Sequence, residues 1–213
     1  GFIKEHGLPP PGDLDVIVQE LWSMPQREIQ YTAVGLIGRL ETQLEPDFIA
    51  ALEHLIITKS WWDTVDTLAG NTVGVHFKRF PKVRGKYLKK WRKSDNLWLR
   101  RTALLFQLGY KEETDFDLLC EIIRENLGSD EFFINKAIGW ALRQYAWKNP
   151  APVRKFVKAT KECFGSGIHQ VIKAVHERAH ARLAAEQVIQ GGRFSHAKIV
   201  PYPFVTRRYR QHV

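Results

Sequence analysis

REIQYTAVGLIG at residues 27–38 and three further segments recur at one interval and decide the fold. The others are WWDTVDTLAG (61–70), LWLRRTALLFQL (97–108) and FFINKAIGWAL (132–142). When aligned, they place four residues in register at steps of 35: Tyr31, Asp66, Arg101 and Lys136. An interval of about 35 to 40 residues in a helical chain is typical of stacked helix pairs, because one pair cannot bury its apolar face alone. The spacing therefore predicts an all-α solenoid, with a chance alignment of amphipathic helices as the alternative.

The rest of the chain supports a helical fold. Strand signals are nearly absent, and apolar residues recur at helical spacing, as they do between Leu14 and Trp22. Helix breaks are expected at four prolines that lie between these segments: Pro25, Pro46, Pro81 and Pro150. We expect a single repeat domain over residues 1–190, followed by a basic tail over residues 191–213.

Composition limits the class of protein and of partner. The chain has 213 residues, 44% of them hydrophobic, which is enough for one domain with a core. Its net charge of +9 and its isoelectric point near 9.6 predict a polyanionic partner or an acidic surface. No stretch resembles a signal peptide or a membrane span, and Cys120 and Cys163 lack the spacing of a disulfide framework. We therefore expect a cytoplasmic protein with reduced thiols.

A basic stretch from Lys78 to Arg101 predicts contacts with phosphate groups. It holds eleven lysine and arginine residues against one acid, Asp95, and aromatic residues interleave with the charges. Such density favours binding to a nucleic-acid backbone, because each neutralised phosphate releases condensed counterions. No sequence-reading motif accompanies it, so binding by shape and backbone is predicted. The alternative is a charged face that is simply solvated.

The register residues and the WWDTVD segment predict a reactive site. Equivalent positions of successive repeats lie on one side of a solenoid, so we expect the register residues to form a row on a basic concave face. Trp62 and Asp66 are four residues apart and share a helix face, whereas Trp61 points away and is expected in the core. An indole beside a carboxylate suits a cationic transition state. The alternative is a buried tryptophan beside a salt-bridged aspartate.

Three neighbouring features complete this prediction. Arg101 lies one repeat after Asp66, where it could hold a phosphate, keep the carboxylate ionised, or do both. Ser94 is expected to cap the helix that follows it. Gly139 in KAIGW indicates a close approach by another element, and Trp140 lies one turn beyond the register position, with a core role as its alternative.

A rival metal site is suggested near the C-terminal end. His176, Glu177 and His180 fit the H-E-x-x-H pattern of zinc hydrolases, and His169 lies one further heptad before them. A catalytic zinc site needs three protein ligands, and the only later acid is Glu186, close by on the same helix. A basic or solvated helix face is the alternative, and we predict no metal and no cofactor.

Taken together, the segments resemble the AlkD family of HEAT-repeat DNA alkylation-repair glycosylases. The resemblance covers residues 14–155 and rests on the combination of KSWWDTVD (59–66), SDNLWLRR (94–101) and KAIGW (136–140). It implies HEAT-like repeats and an enzyme that hydrolyses the N-glycosidic bond of cationic N3- or N7-alkylated purines in duplex DNA. Members are thought to act without metal, cofactor or rotation of the base into a pocket. A monomer associated with the bacterial nucleoid is expected.

The resemblance also implies roles for single residues. Asp66 would be the catalytic carboxylate, Trp62 and Trp140 the aromatic walls beside the lesion, and Arg101 the residue that grips a phosphate. With the row and the basic stretch, the expected DNA contacts are Tyr31, Lys59, Lys89, Lys90, Lys93, Arg100, Lys136 and Arg143. A non-catalytic HEAT-repeat scaffold that binds DNA or protein is the main alternative, and a zinc hydrolase is the other.

Overall fold

A computed structural model describes residues 5–160 and Cys163, and within that part every regular element is helical. The helices are α1 (Leu14–Ser23), α2 (Arg27–Leu40), α3 (Ile49–Ile57), α4 (Trp62–Thr67), α5 (Gly74–Arg79), α6 (Pro81–Trp91), α7 (Leu97–Leu105), α8 (Phe116–Arg124), α9 (Phe132–Ala146) and α10 (Pro150–Thr160). A π-helical segment, Leu68–Val73, joins α4 to α5. Three short 3₁₀ segments are Pro11–Asp13, Pro46–Phe48 and Lys111–Glu113.

The helices stack in two layers. The four segments aligned by the 35-residue interval lie on α2, α4, α7 and α9, and these helices pack against one another in that order. In the second layer, α1 packs on α3. Glu53 of α3 accepts hydrogen bonds from Lys90 and Trp91 at the end of α6. Arg92, just after α6, donates to Glu121 on α8 and to Glu125 just after α8. Each layer therefore repeats once per helix pair, and the predicted α-solenoid is confirmed.

Polar contacts between neighbouring pairs carry the same interval as the sequence. Side chains that hydrogen-bond from one pair to the next do so over separations of 29 to 38 residues. Trp22 illustrates this: its indole donates to the carbonyl of Thr58, 36 residues later, at 2.9 Å. A repeat that was visible only as a spacing in the chain is thus a set of physical contacts in the fold.

Helix boundaries follow the expected breakers with one correction. Pro25 lies between α1 and α2, and Pro81 and Pro150 are the first residues of their helices, where the missing amide proton costs nothing. The cap predicted at Ser94 is wrong. α7 begins two residues later than that assignment required, so Asn96 caps it and accepts hydrogen bonds from the amides of Trp98 and Leu99, while the Ser94 hydroxyl accepts only from the amide of Asn96.

The π-helical segment ends just before Gly74, where the backbone comes close to the backbone of Phe106. A Cβ built on Gly74 would lie 2.5 Å from the carbonyl oxygen of Phe106, and the hydroxyl of Tyr110 donates to the Gly74 carbonyl at 2.7 Å. Wide turns of this kind let a helix pass a neighbour without losing its hydrogen bonds. The segment follows directly after α4, the helix that carries Asp66. Close packing at Gly74 thus holds the end of the π-helical segment against the chain that follows α7.

Several expectations concern residues outside the described part of the chain. The H-E-x-x-H pattern (His176, Glu177 and His180) lies there, as do His169, the predicted domain end at residue 190 and the basic tail at 191–213. In the part that is described, no helix has the length and apolar character needed to cross a membrane.

Substitution of Gly74 by alanine should destabilise the protein. The added methyl group meets the Phe106 backbone, which cannot move aside as a flexible side chain can, so we expect a loss of about 1–3 kcal/mol in the free energy of unfolding. Gly85→Ala on α6 is the matched control. Open space surrounds Gly85, so there the helix-forming preference of alanine should add about 0.5–1 kcal/mol. Urea unfolding of both variants measures the difference, and an equal response would contradict this account.

Candidate active site

An ion pair joins α4 to α7 at the predicted site. The Arg101 Nε donates to Oδ1 of Asp66 and its Nη2 donates to Oδ2, both at 2.7 Å, so the pair is bidentate. The side chains of Asp66 and Arg101 are only 9% and 5% exposed. The Nη1 of Arg101 donates to the carbonyl of Phe133 on α9. The guanidinium is thus held on both sides by the protein, which leaves little of it to a phosphate.

The environment of Asp66 opposes its ionisation. Burial raises the pKa of the carboxyl above its usual range, and the negative charge of Asp63 adds to the rise. The hydrogen bonds and the positive charge of Arg101 act in the opposite direction. Of the two roles considered for Arg101, keeping the carboxylate charged and oriented is the one its contacts serve.

Two exposed tryptophans lie at the start of α4. Trp62 stands one turn before Asp66, as predicted, and Trp61 and Trp62 are each 46% exposed. The prediction that Trp61 belongs to the core is wrong. It assumed helical geometry at a residue that precedes the helix and has extended dihedral angles (φ −148°, ψ 153°). Its ring instead meets the Phe133 ring edge-on, with the centroids 6.0 Å apart.

An aromatic cluster borders the Arg101 guanidinium. The Phe133 ring lies 5.1 Å from the Trp98 ring and 5.7 Å from the Arg101 guanidinium carbon, and Phe132 packs edge-on against Phe133 with its own ring exposed. Sequence analysis missed both phenylalanines. The repeat interval would have found Phe133, because it falls 35 residues after Trp98.

Trp140 is the second indole expected at the site. It lies on α9, half-buried, and packs against the hydrophobic core. In the described part of the chain, no ring contact or hydrogen bond joins it to Trp62 or Asp66. The structure therefore brings together Trp62, Asp66 and Arg101, while the role of Trp140 as a second wall stays a prediction.

A second arginine–aspartate pair ties α4 to α2. Arg27 pairs with Oδ1 of Asp63, the Tyr31 hydroxyl donates to Oδ2 at 2.6 Å, and the Thr64 amide also donates to Oδ1. The hydrogen bond to Asp63 is the largest cause of a raised pKa at Tyr31. Tyr31 thus contacts Asp63 and not its register partner Asp66. Asp63 and Arg27 were not singled out by sequence analysis, although their separation of 36 residues is close to the repeat interval.

Lys59 holds the segment that precedes the two tryptophans. Its ammonium donates to the carbonyls of Ser23 and Met24 at the end of α1, at 2.8 and 2.7 Å. Lys59 itself has a left-handed backbone conformation (φ 48°). A cation at a helix C-terminus satisfies carbonyls that have no partner within the helix. Its expected DNA contact stays a prediction, and the structure shows this tether.

The remaining predicted DNA contacts fall in two places. Lys136 is exposed on α9 with its ammonium 5.2 Å from the Phe132 ring, Arg100 is half-buried and donates to the carbonyls of Ser94 and Asp95, and Arg143 is half-buried on α9. Three others are exposed on α6 or just beyond it: Lys89, Lys90 and Lys93. α6 belongs to the layer of α1, α3 and α8, and contact of these three lysines with the DNA around Asp66 stays a prediction.

Metal ligands are not clustered in the described part. Among residues 5–160, no group of three or more histidine, cysteine, aspartate or glutamate side chains is arranged to hold a metal ion. Asp63 and Asp66 instead each have an arginine as their partner. The reactive groups that the site offers are the Asp66 carboxylate, which Arg101 holds in a fixed direction, and the exposed indole of Trp62.

The two arginine–aspartate pairs should differ sharply in their contribution to stability. Arg101→Gln leaves a buried carboxylate without its counter-charge, and we expect a loss of about 3–5 kcal/mol in the free energy of unfolding. Arg27→Gln breaks a pair whose side chains are 35% and 27% exposed, and should cost about 1 kcal/mol or less. Urea unfolding at neutral pH compares the two.

The pH dependence provides a second check on the same variants. Loss of Arg101 raises the pKa of Asp66 further, and a raised folded-state pKa means that protonation favours the folded protein. The Arg101→Gln protein should therefore regain more stability than the wild type as the pH falls toward that pKa. Equal costs for both substitutions, or no gain on acidification, would show that the Asp66 carboxylate is solvated.

The chain resembles known proteins in sequence and in structure. A family model described as DNA alkylation repair enzyme matches residues 1–187. Among solved structures, a predicted DNA alkylation repair enzyme from Enterococcus faecalis superposes with a TM-score of 0.63 at 28% sequence identity, over 78% of this chain and 85% of that chain. No curated protein matches the chain.

Proposed function

The chain belongs to the DNA alkylation repair enzyme family, and we propose that it is a DNA glycosylase that acts on cationic N3- and N7-alkylated purines in duplex DNA. The observation that carries the proposal is the Asp66 carboxylate, held by Arg101 and flanked by the exposed ring of Trp62. Its product would be a free base and an abasic site, the entry to base excision repair.

The substrate leaves this site little acid–base work to do. An alkylated purine carries a positive charge, so when the bond from the sugar C1′ to the base nitrogen breaks, its electron pair neutralises the base. Positive charge then develops on the sugar as an oxocarbenium ion, and a water molecule attacks C1′ and releases a proton. Electrostatic stabilisation of that cation is the main task, and a fixed carboxylate supplies it without reorganisation.

Arg101 gives the carboxylate a fixed direction. The guanidinium fork engages one lone pair on each oxygen of Asp66 and leaves the others for a water molecule or for the sugar. It also limits the rise in the pKa of Asp66 that burial causes, which favours the ionised form of the carboxyl group. The cost is a partly compensated negative charge, which the nearby carboxylate of Asp63 offsets in part.

Trp62 would provide the surface against which the damaged nucleotide rests. Its ring is half exposed one turn before Asp66, and the face of an indole attracts a cation. Trp61 is equally exposed beside it, so the start of α4 presents open rings. An open aromatic surface suits a lesion that stays in the duplex. We propose Trp140 as the second wall and Lys136, Arg100, Arg143, Tyr31 and Lys59 as contacts of a monomer with the DNA backbone.

A non-catalytic scaffold is the second candidate, and one observation favours it. Asp66 and Arg101 are almost completely buried and satisfy each other, as a purely structural ion pair would. Against this reading, burial makes such a pair a weak source of stability compared with apolar packing. The ring of Trp62 beside the pair is also 46% exposed, which a role in packing does not require. Activity measurements separate the two candidates.

Asp66→Asn should abolish most base release. Without the carboxylate, the developing sugar cation loses its fixed counter-charge, and we expect the single-turnover rate to fall by about 10²–10³-fold. The assay is release of 7-methylguanine from methylated duplex DNA. Asp63→Asn is the matched control, since it removes a neighbouring carboxylate one turn away and should keep most of the rate.

A third variant guards against loss of folding in the first. Trp62→Ala changes an exposed ring, so its thermal stability should match the wild type while its rate falls roughly 2- to 30-fold, the range expected of a cation–ring contact. Activity should also survive chelation of divalent metals. Wild-type rates in Asp66→Asn would exclude Asp66 as the catalytic carboxylate, whereas no base release by the wild type would exclude the glycosylase and leave the scaffold.

The pH–rate profile should report the ionisation of Asp66. Because burial raises the pKa of this carboxyl, base release should decline with acidification at a higher pH than an exposed aspartate would give. Asp63 contributes to that rise, so Asp63→Asn should move the acid limb to lower pH. Single-turnover rates of both proteins on the same substrate provide the comparison, and superimposable acid limbs would show that another group sets the profile.

A further inference from the structure

Four lysines form a stripe on the outward face of α6 that the proposed function does not use. This lysine stripe consists of Lys82, Lys86, Lys89 and, in the turn just after the helix, Lys93. Their spacings of four, three and four residues place them on one side of a helix. All four are exposed, whereas Leu88 and Trp91 of the same helix are buried.

The stripe imposes a cost on the helix that carries it. Between residues 78 and 94 the chain has no acid, so α6 has none of the glutamate–lysine pairs that usually stabilise an exposed helix. Lysines four residues apart repel each other, by about 0.2–0.5 kcal/mol per pair. Lys82 also lies in the first turn, where the helix dipole disfavours a cation. A polyanion bound along this face would relieve all of these effects.

The other cations of this region show what a structural role requires. Lys90 pairs with Glu53 of α3, and Arg92 pairs with Glu121 and Glu125 at α8. Within residues 5–160, by contrast, no carboxylate pairs with any lysine of the stripe. Neighbouring helices therefore supply acids where α6 packs against them, and the outward face of α6 is left positive.

Gly85 gives an independent indication of a ligand. It lies on the outward face between Lys82 and Lys89, and a Cβ built there would meet nothing within 4 Å. Glycine in the middle of a helix costs about 0.5–1 kcal/mol relative to alanine. No packing inside the described part of the protein explains it. A residue without a side chain leaves the helix backbone open to close approach from outside.

We infer that the lysine stripe binds the sugar–phosphate backbone of a second DNA duplex, while the lesion-bearing duplex occupies the layer that contains Asp66. The inference rests on the proposed function for the kind of partner. The stripe lies on α6, in the layer of α1, α3 and α8, so it is separate from the layer of α2, α4, α7 and α9. A repair protein with two such surfaces could bind a new DNA segment with one surface before the other surface releases the old segment.

Dimensions and chemistry favour a duplex over other polyanions. From Lys82 to Lys89 the helix rises about 10 Å, a length over which each DNA strand presents about three phosphates. A membrane-bound helix would instead expose apolar side chains beside its lysines. On α6 the large apolar residues are buried or half-buried, and the exposed residues are all lysine, proline or glycine.

The test compares a pair of lysines on the stripe with a pair on another helix. Lys82→Gln/Lys86→Gln removes half of the stripe, and Lys155→Gln/Lys158→Gln removes two exposed lysines of α10 as the control. The full chain is saturated with an undamaged donor-labelled duplex and titrated with an acceptor-labelled one, at several salt concentrations. Energy transfer reports simultaneous binding, and the acceptor titration gives the second dissociation constant and its salt dependence.

We expect transfer with the wild type and with the control pair. For Lys82→Gln/Lys86→Gln, the slope of log affinity against log salt for the second duplex should fall by about 1.8, which corresponds to two lost phosphate contacts. Binding of one duplex only, or equal losses in the two pairs, would overturn the inference. So would displacement of the second duplex from the stripe by phosphatidylserine vesicles at the same salt concentration.

Base release in the same samples separates this inference from the proposed function. The Lys82→Gln/Lys86→Gln protein should release 7-methylguanine from a single saturating duplex at the wild-type rate. If the wild type releases no base but still binds two duplexes, the proposed glycosylase fails and the second surface stands. If base release is normal and only one duplex binds, the opposite holds.

Discussion

The arrangement of the site depends on one guanidinium group. Arg101 on α7 reaches back to Asp66 on α4 and forward to the carbonyl of Phe133 on α9, so a single side chain connects three successive helices of one layer. Because it is buried, these contacts are shielded from water and from salt. Arg101 therefore sets the position of the carboxylate, the spacing of the three helices and the proximity of the aromatic cluster.

The repeat interval explains how much of this could be predicted from sequence. A spacing of 35 residues identifies Asp66 and Arg101 as neighbours, since equivalent positions of stacked pairs must adjoin. It does not identify Asp63 as the partner of Tyr31, because a contact shifted by three residues lies one helical turn from the register. The same interval applied to Trp98 would have located Phe133.

Errors arose where the exact start of a helix mattered. Trp61 was assigned to the core, and Ser94 was assigned as a cap, because both predictions extended or displaced a helix by one or two residues. Local sequence constrains such boundaries weakly. The basic stretch was treated as one surface because its charges are contiguous in sequence. In the fold it crosses from α6 to α7, and consecutive helices of a pair belong to different layers.

The wide π-helical turn explains an unusual burial pattern between α4 and α5. Val65, Ala69, Val73 and Phe77 recur every four residues, and each is at most 1% exposed. In an unbroken α-helix such a series would drift by about 40° per step and wind out of the interior. A turn with more residues takes up that drift, so one straight apolar seam extends from the end near Asp66 to the end near Phe77. The two ends can therefore differ in what they face, with reactive groups at one and hydrocarbon at the other.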